Sequence, residues 1–326
     1  MVESRQAAAL FRLEFGGATG WGHLVRSGAL ASELQARGWR CDLWTGSAVD
    51  SVPAELREPF ERVLSYPGGA ATVPAGYDWL VIDHYGTSDG GIRAWRAGFR
   101  GRILAIDDEA RRGLDAADLV LNARLGLTES PYAPGVATLL GERFALLRRG
   151  LGEPSVPVWT PSSDVMPVLV MLGGTDPAGA TDVVLEVLAD LDSEGLAPVV
   201  IRPGATRPVA LARFRSAVWL DGVNAHQLAG WAGVCGMAVT AAGGTLYELA
   251  ALRVPFVSVV VAENQRLLAL EAARRWGMPS VAVGATLRVD LGGAVRRLRG
   301  NLDDARARLI GIDELGAARV AAAMGA

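Results

Sequence analysis

Leu10-Phe11-Arg12-Leu13-Glu14-Phe15-Gly16-Gly17-Ala18-Thr19-Gly20-Trp21-Gly22-His23-Leu24 leads from an apolar run into an amphipathic one. Residues 10–15 read as a strand. Leu24, Leu30 and Leu34 then mark one face of a helix that runs towards Gly38, a natural stop. Glycines at such a turn let the backbone come close to a ligand, and a helix start offers unpaired N–H groups to an anion. Gly20 and Gly22 are the binding candidates. His23 opens the helix, where the positive end of the dipole favours the neutral, proton-accepting imidazole.

Two generic motifs fail here. Gly17 to Gly22 has P-loop spacing, but His23-Leu24 stands where Lys-Ser/Thr must hold phosphate and magnesium. The chain contains no lysine at all, which also excludes Schiff-base chemistry. Val25 replaces the third glycine of a dinucleotide fingerprint. What remains is a Gly-x-Gly-His loop.

Working outward, apolar runs alternate with helical periods. Strands are expected at 40–44, 79–83, 102–106 and 118–121, then at 167–172, 198–202, 217–220, 237–240, 255–261 and 280–283. Continuous apolar runs between helices indicate parallel strands covered on both faces. Residues 150–163 contain Pro154, Pro157 and Pro161 and predict an extended connector. The expectation is an α/β chain of two Rossmann-like domains, 1–153 and 154–326, with a ligand cleft at the carboxyl ends of their parallel sheets.

Composition agrees with a globular chain. Its 326 residues suffice for two cores, with 50% hydrophobic and 21% charged residues. A net charge of −3 argues against nucleic acid or anionic membrane as partners. Two distant cysteines suggest neither a disulfide framework nor a zinc site, and no secretion signal or membrane-spanning run is read. A cytoplasmic location is expected.

Polar clusters fall where the expected strands end: Asp83-His84-Tyr85-Gly86, Asp107-Asp108-Glu109, Gly173-Gly174-Thr175-Asp176, Gly243-Gly244-Thr245 and Glu263-Asn264-Gln265. Within them, Asp83 reads as an anchor of its own loop and His84 as a structural hydrogen-bonding residue. The acidic trio could hold a hard cation, but loop hydrogen bonding is the preferred reading. Asn224 and Gln227 read as a capping box, with His226 structural.

Gly-x-Gly-His, Ile-Asp-His-Tyr-Gly (82–86), Ile-Asp-Asp-Glu (106–109), Phe-Ala-Leu-Leu-Arg (144–148), Gly-Gly-Thr-Asp (173–176) and Glu-Asn-Gln (263–265), in this order, resemble the UDP-2,4-diacetamido-2,4,6-trideoxy-β-L-altropyranose hydrolases of pseudaminic acid biosynthesis. The resemblance spans residues 11–284. It implies a GT-B fold, like that of the peptidoglycan UDP-N-acetylglucosamine transferase, and a UDP-sugar substrate with neither cofactor nor metal. There are departures. The family's Asp and serine-rich segment are here Glu14 and Phe15 to Thr19, and the serines often seen at the phosphate-binding helix are Gly243, Gly244 and Thr245.

The resemblance implies that His23 is the base for water and that Tyr85 and Asn264 meet the sugar. Gln265 would bind sugar hydroxyl or amide groups, and Gly174 and Thr175 would join the binding loops. The diphosphate would rest on the N–H groups of Gly243, Gly244 and Thr245. Glu248 either accepts from the ribose diol or complements its helix dipole. Two other readings stay open: a GT-B glycosyltransferase with an organic acceptor, and a non-catalytic nucleotide-sugar sensor.

Overall fold

The computed structural model describes residues 5–326 except 17–19, 51, 53, 70, 111–112, 158, 174–175, 177–178 and 205. It divides into two compact units, one running to Arg149 and including Leu315–Ala326, the other Gly150–Glu314.

The first unit begins with β1 (Ala8–Leu13), α1 (Gly22–Ala36), β2 (Arg40–Thr45), the short α2 (Ala54–Arg57) and β3 (Arg62–Ser65). It continues through β4 (Trp79–Asp83), α3 (Asp89–Gly98), β5 (Arg102–Ile106), β6 (Leu119–Asn122), β7 (Ala137–Leu140) and a 3-10 turn at Glu142–Phe144. The sheet order is β3-β2-β1-β4-β5-β6-β7, all pairings parallel. The central strands are apolar on both faces because cores lie on both. Phe11, Leu13, Val81 and Leu104 pack with Leu24, Leu30 and Leu34 of α1, whereas Leu10, Leu80, Ile82 and Ile103 pack with Ile92 and Trp95 of α3.

The second unit runs β8 (Met166–Met171), α4 (Ala180–Asp192), β9 (Leu196–Ile201), a 3-10 turn (Val209–Arg213), β10 (Val218–Leu220), α5 (Ala225–Val234) and β11 (Met237–Ala241). Then follow α6 (Thr245–Ala251), β12 (Phe256–Val260), a 3-10 turn (Glu263–Gln265), α7 (Arg266–Trp276), β13 (Ser280–Ala282), α8 (Leu287–Arg299) and α9 (Leu302–Arg308). The order β10-β9-β8-β11-β12-β13 is again wholly parallel. Asn224 accepts from the Gln227 N–H at 2.9 Å and Gln227 accepts from the Asn224 N–H at 3.0 Å, the expected capping box.

Each expected strand is present within two residues of its predicted ends. β3 and β7 were not expected. They form the two edges of the first sheet, and neither has a buried residue. The ending of the chain also differs from a single cut at residue 153. The last helix, α10 (Gly316–Met324), packs with the first unit. Val320, Ala321 and Met324 join the core of Leu30 and Leu34, and the Trp79 indole donates to the Met324 carbonyl at 3.1 Å. Gly316 permits the approach, since a Cβ there would lie 2.0 Å from the Ala145 carbonyl oxygen. Nothing local in Gly-Ala-Ala-Arg-Val-Ala-Ala-Ala-Met records that partnership. Among the described residues no helix is long and apolar enough to cross a membrane.

The α10 packing has a direct test. Val320 is fully buried, so Val320→Asp places an unpartnered carboxylate in the α1 core and should cost at least about 3 kcal/mol. Chemical denaturation with hydrogen-exchange readout should show the loss confined to the first unit, with the second unit's protection unchanged.

Candidate functional site

In an open parallel sheet, ligands bind beyond the carboxyl ends of the strands, where the strand order reverses. In the first unit that point lies between β1 and β4, with Leu13 beside Asp83 in register. α1 starts after β1, and Asp83 ends β4. The Gly16 and Gly20 backbones pair in an antiparallel bridge, N–H to O distances 2.8 and 3.2 Å, with φ of 83° and 70°. Only glycine accepts such angles readily. This pinch closes the turn and delivers Gly22 and His23 to the sheet edge.

Asp83 has no exposed surface, and a buried carboxylate must be paired. Its Oδ1 lies 2.6 Å from His23 Nδ1, its Oδ2 accepts from Arg26 Nε at 2.7 Å and from Ser27 Oγ at 3.0 Å, and Arg26 Nη2 also reaches Oδ1. Burial pushes the carboxyl's pKa up, but Arg26 and His23 outweigh it and hold the group ionised, well below the usual range. An ionised acceptor accepts Nδ1–H from the imidazole, so in the neutral ring the lone pair is on Nε2. Asp83 therefore fixes the tautomer. Its partners are on α1, so it is not chiefly the anchor of its own loop that the sequence suggested.

Arg26 carries the network further. Its Nη1 donates to both oxygens of Asp108, at 2.9 and 2.8 Å. Burial lowers the guanidinium's pKa, yet Asp108 and Asp83 more than compensate and raise it well above the ordinary value. Tyr85 donates its hydroxyl to Asp108, and the Tyr85 and His23 rings meet at 4.8 Å and 78°. Burial and then the Asp108 charge push the Tyr85 pKa up, so the phenol keeps its proton.

The neighbouring polar groups are spoken for. His84 Nδ1 lies 3.0 Å from Thr87 Oγ1, and burial, aided by Arg12, lowers its pKa, consistent with the structural role expected. Asp107 is buried and accepts from the Tyr132 hydroxyl at 2.7 Å and the Ala110 N–H at 3.0 Å. Asp107 and Asp108 are thus divided between a loop brace and the Arg26 pair. Among the described residues no three His, Cys, Asp or Glu side chains group as metal ligands. Glu14 binds the Gly46 N–H at 3.0 Å, Ser47 Oγ at 2.6 Å and Arg12 at 2.7 Å, tying the ends of β1 and β2.

In the second unit the order reverses between β8 and β11. Asp176, after β8, caps α4 by accepting from Ala180 and Thr181 N–H at 2.9 and 3.0 Å, with Arg202 at 3.8 Å. Gly174 and Thr175 lie outside the described residues. After β11 come Gly243 and Gly244, at which an added Cβ would meet nothing within 4 Å, then Thr245 at the start of α6, which has no side-chain cap. Glu248 is buried one turn in. Gln265 Oε1 accepts from the Val261 N–H at 3.0 Å, and Asn264 beside it is exposed.

The structure therefore brings His23 and Tyr85 together in one unit and Gly243, Gly244, Thr245 and Glu248 at one turn of the other. Sequence reasoning missed Arg26 and Ser27 as partners of Asp83. The available signal was their spacing, since residues three and four beyond His23 share its helix face.

No family model and no curated protein matches the chain. Solved structures do. MurG of Acinetobacter baumannii superposes over 97% of this chain and 99% of its own, with a TM-score of 0.65 at 14% identity. S. aureus MnaA, solved with UDP, covers 96% of this chain and 94% of its own, with a TM-score of 0.61 at 9% identity. Spinosyn rhamnosyltransferase SpnG, solved with thymidine diphosphate, covers 97% and 99%, with a TM-score of 0.60 at 14% identity. The likeness is one of fold, and that fold is the GT-B class of two Rossmann-like units.

The Asp83 network predicts an acid signature. The carboxyl's pKa is depressed on folding, so its stabilisation is complete above the unfolded value of about 3.9 and is lost as pH falls below it. Asp83→Asn should destabilise the first unit by about 3–5 kcal/mol at pH 7, and the gap to wild type should narrow on acidification. A gap that stays constant from pH 7 to pH 3 contradicts the assignment.

Proposed function

We propose that the protein hydrolyses a UDP-sugar, with UDP-2,4-diacetamido-2,4,6-trideoxy-β-L-altropyranose the substrate that the resemblance favours. The observation that carries the reading is the His23–Asp83 pair at the switch point of the first sheet. A buried carboxylate holds Nδ1, the rings of His23 and Tyr85 are in contact, and Nε2 keeps a lone pair. That is the equipment of a general base.

In the reaction, a water oxygen attacks the anomeric carbon while the bond from that carbon to the phosphate oxygen of UDP breaks. The water proton passes to His23 Nε2, and UDP leaves with the bonding electrons. The imidazolium so formed is stabilised by Asp83, and the products are UDP and the free sugar. In the second unit, the N–H groups of Gly244 and Thr245 would receive the diphosphate beside Gly243, whose own N–H is given to the Ala241 carbonyl at 2.8 Å. The open space at both glycines supports this, since phosphate oxygens need room to approach the backbone. Glu248 would accept from the ribose hydroxyls, with Gly174, Thr175, Asn264 and Gln265 completing the binding loops and Gly20 and Gly22 lining the sugar side.

The test is UDP release from a panel of UDP-sugars in ¹⁸O-labelled water, with and without organic acceptors. Label should enter the anomeric hydroxyl of the free sugar. Release that requires an organic acceptor would favour the glycosyltransferase reading instead, and binding without turnover the sensor reading. His23→Ala should lower kcat by about 100-fold or more with UDP affinity retained.

Nucleotide binding separates from turnover. Glu248→Ala should weaken UDP binding by about 1.5–3 kcal/mol by calorimetry, whereas His23→Ala should leave it unchanged.

A further inference from the structure

Tyr85 follows β4 on a loop without regular structure, and its side chain is 40% exposed. Its hydroxyl nevertheless has a fixed partner, Asp108 Oδ2. Asp108 in turn accepts from Arg26 Nη1 at 2.9 and 2.8 Å, Arg26 grips Asp83, and Asp83 holds His23. The circuit closes through the ring contact of His23 with Tyr85 at 4.8 Å. Five side chains from α1, the end of β4 and the end of β5 thus share one closed set of contacts. A phenol has a single proton. With that proton given to Asp108, its oxygen offers any other group only lone pairs.

We infer that Asp108 is a positioning residue for the hydrolysis: it holds Tyr85 against His23 and fixes the phenol as a hydrogen-bond acceptor towards the ligand. The group that meets Tyr85 is then a donor, either the attacking water, a sugar hydroxyl or an amide N–H. The donor assignment rests on the proposed hydrolysis, whereas the latch between Asp108 and Tyr85 does not.

Asp108→Ala removes the acceptor that takes the phenol proton. With a cleaved UDP-sugar, this variant should lower kcat about 10- to 100-fold and change KM by less than about 3-fold. In a Tyr85→Phe background the same substitution should cost less than about 2-fold, because the group it acts through is gone. Equal losses in both backgrounds overturn the inference.

A second arm needs no turnover. The chain has 3 histidines and 5 tyrosines, so the ring resonances of His23 and Tyr85 can be assigned by NMR. A nuclear Overhauser contact between the two rings is expected in the wild type and should vanish in a folded Asp108→Ala, which leaves the phenol no acceptor at this position. Its survival there overturns the latch. Should Asp108→Ala fail to fold, Tyr85→Phe decides, since a ring without a hydroxyl cannot be latched and should lose the contact; persistence overturns the inference. If the wild type cleaves no UDP-sugar, the hydrolase reading fails, and the ring contact still decides the latch.

Discussion

A carboxylate sealed from water at the end of β4 is the constraint on which the first unit turns. Asp83 has no exposed surface, and an ionised group there is tolerable only if every strong acceptor site is met. Its donors, His23, Arg26 and Ser27, occupy one face of α1. Satisfying them sets the rotation of the helix about its axis and its height above the sheet. Leu24, Leu30 and Leu34 are then directed into the core beneath. The polar and apolar faces of α1 are thus fixed by one registration.

The same interaction orients the imidazole of His23. A ring N–H given to Asp83 leaves the other nitrogen of a neutral imidazole as the one with the lone pair. Arg26 neutralises Asp83 from the side and extends to Asp108, so the charge that stabilises the fold also organises the loop bearing Tyr85.

The two units use their switch points differently. In the first, the strand next to β1 ends in a buried acid, and side chains dominate. In the second, the acid Asp176 follows β8 and spends its oxygens on the backbone of α4. The neighbouring strand β11 leads into glycines with open space around them. Proton transfer is proposed for the first arrangement and anion binding for the second. That asymmetry within a repeated architecture underlies the division of roles proposed above.

The sequence by itself determined the local order of elements. Continuous apolar runs announce central parallel strands, a cluster of glycines announces the turn before His23, and Asn224 with Gln227 announces a helix start. Each is a matter of a few adjacent residues. Edge strands β3 and β7, the return of α10 to the first unit, and the partners of Asp83 were decided only by tertiary structure. β3 and β7 have no buried residue, so the burial that marks the central strands does not mark them. The α10 face of Val320, Ala321 and Met324 fits any apolar surface, and only the groove beside α1 selects it. Asp83 lies 60 residues from His23. Nothing in either segment names the other until β1 and β4 pair and bring a helix start above a strand end.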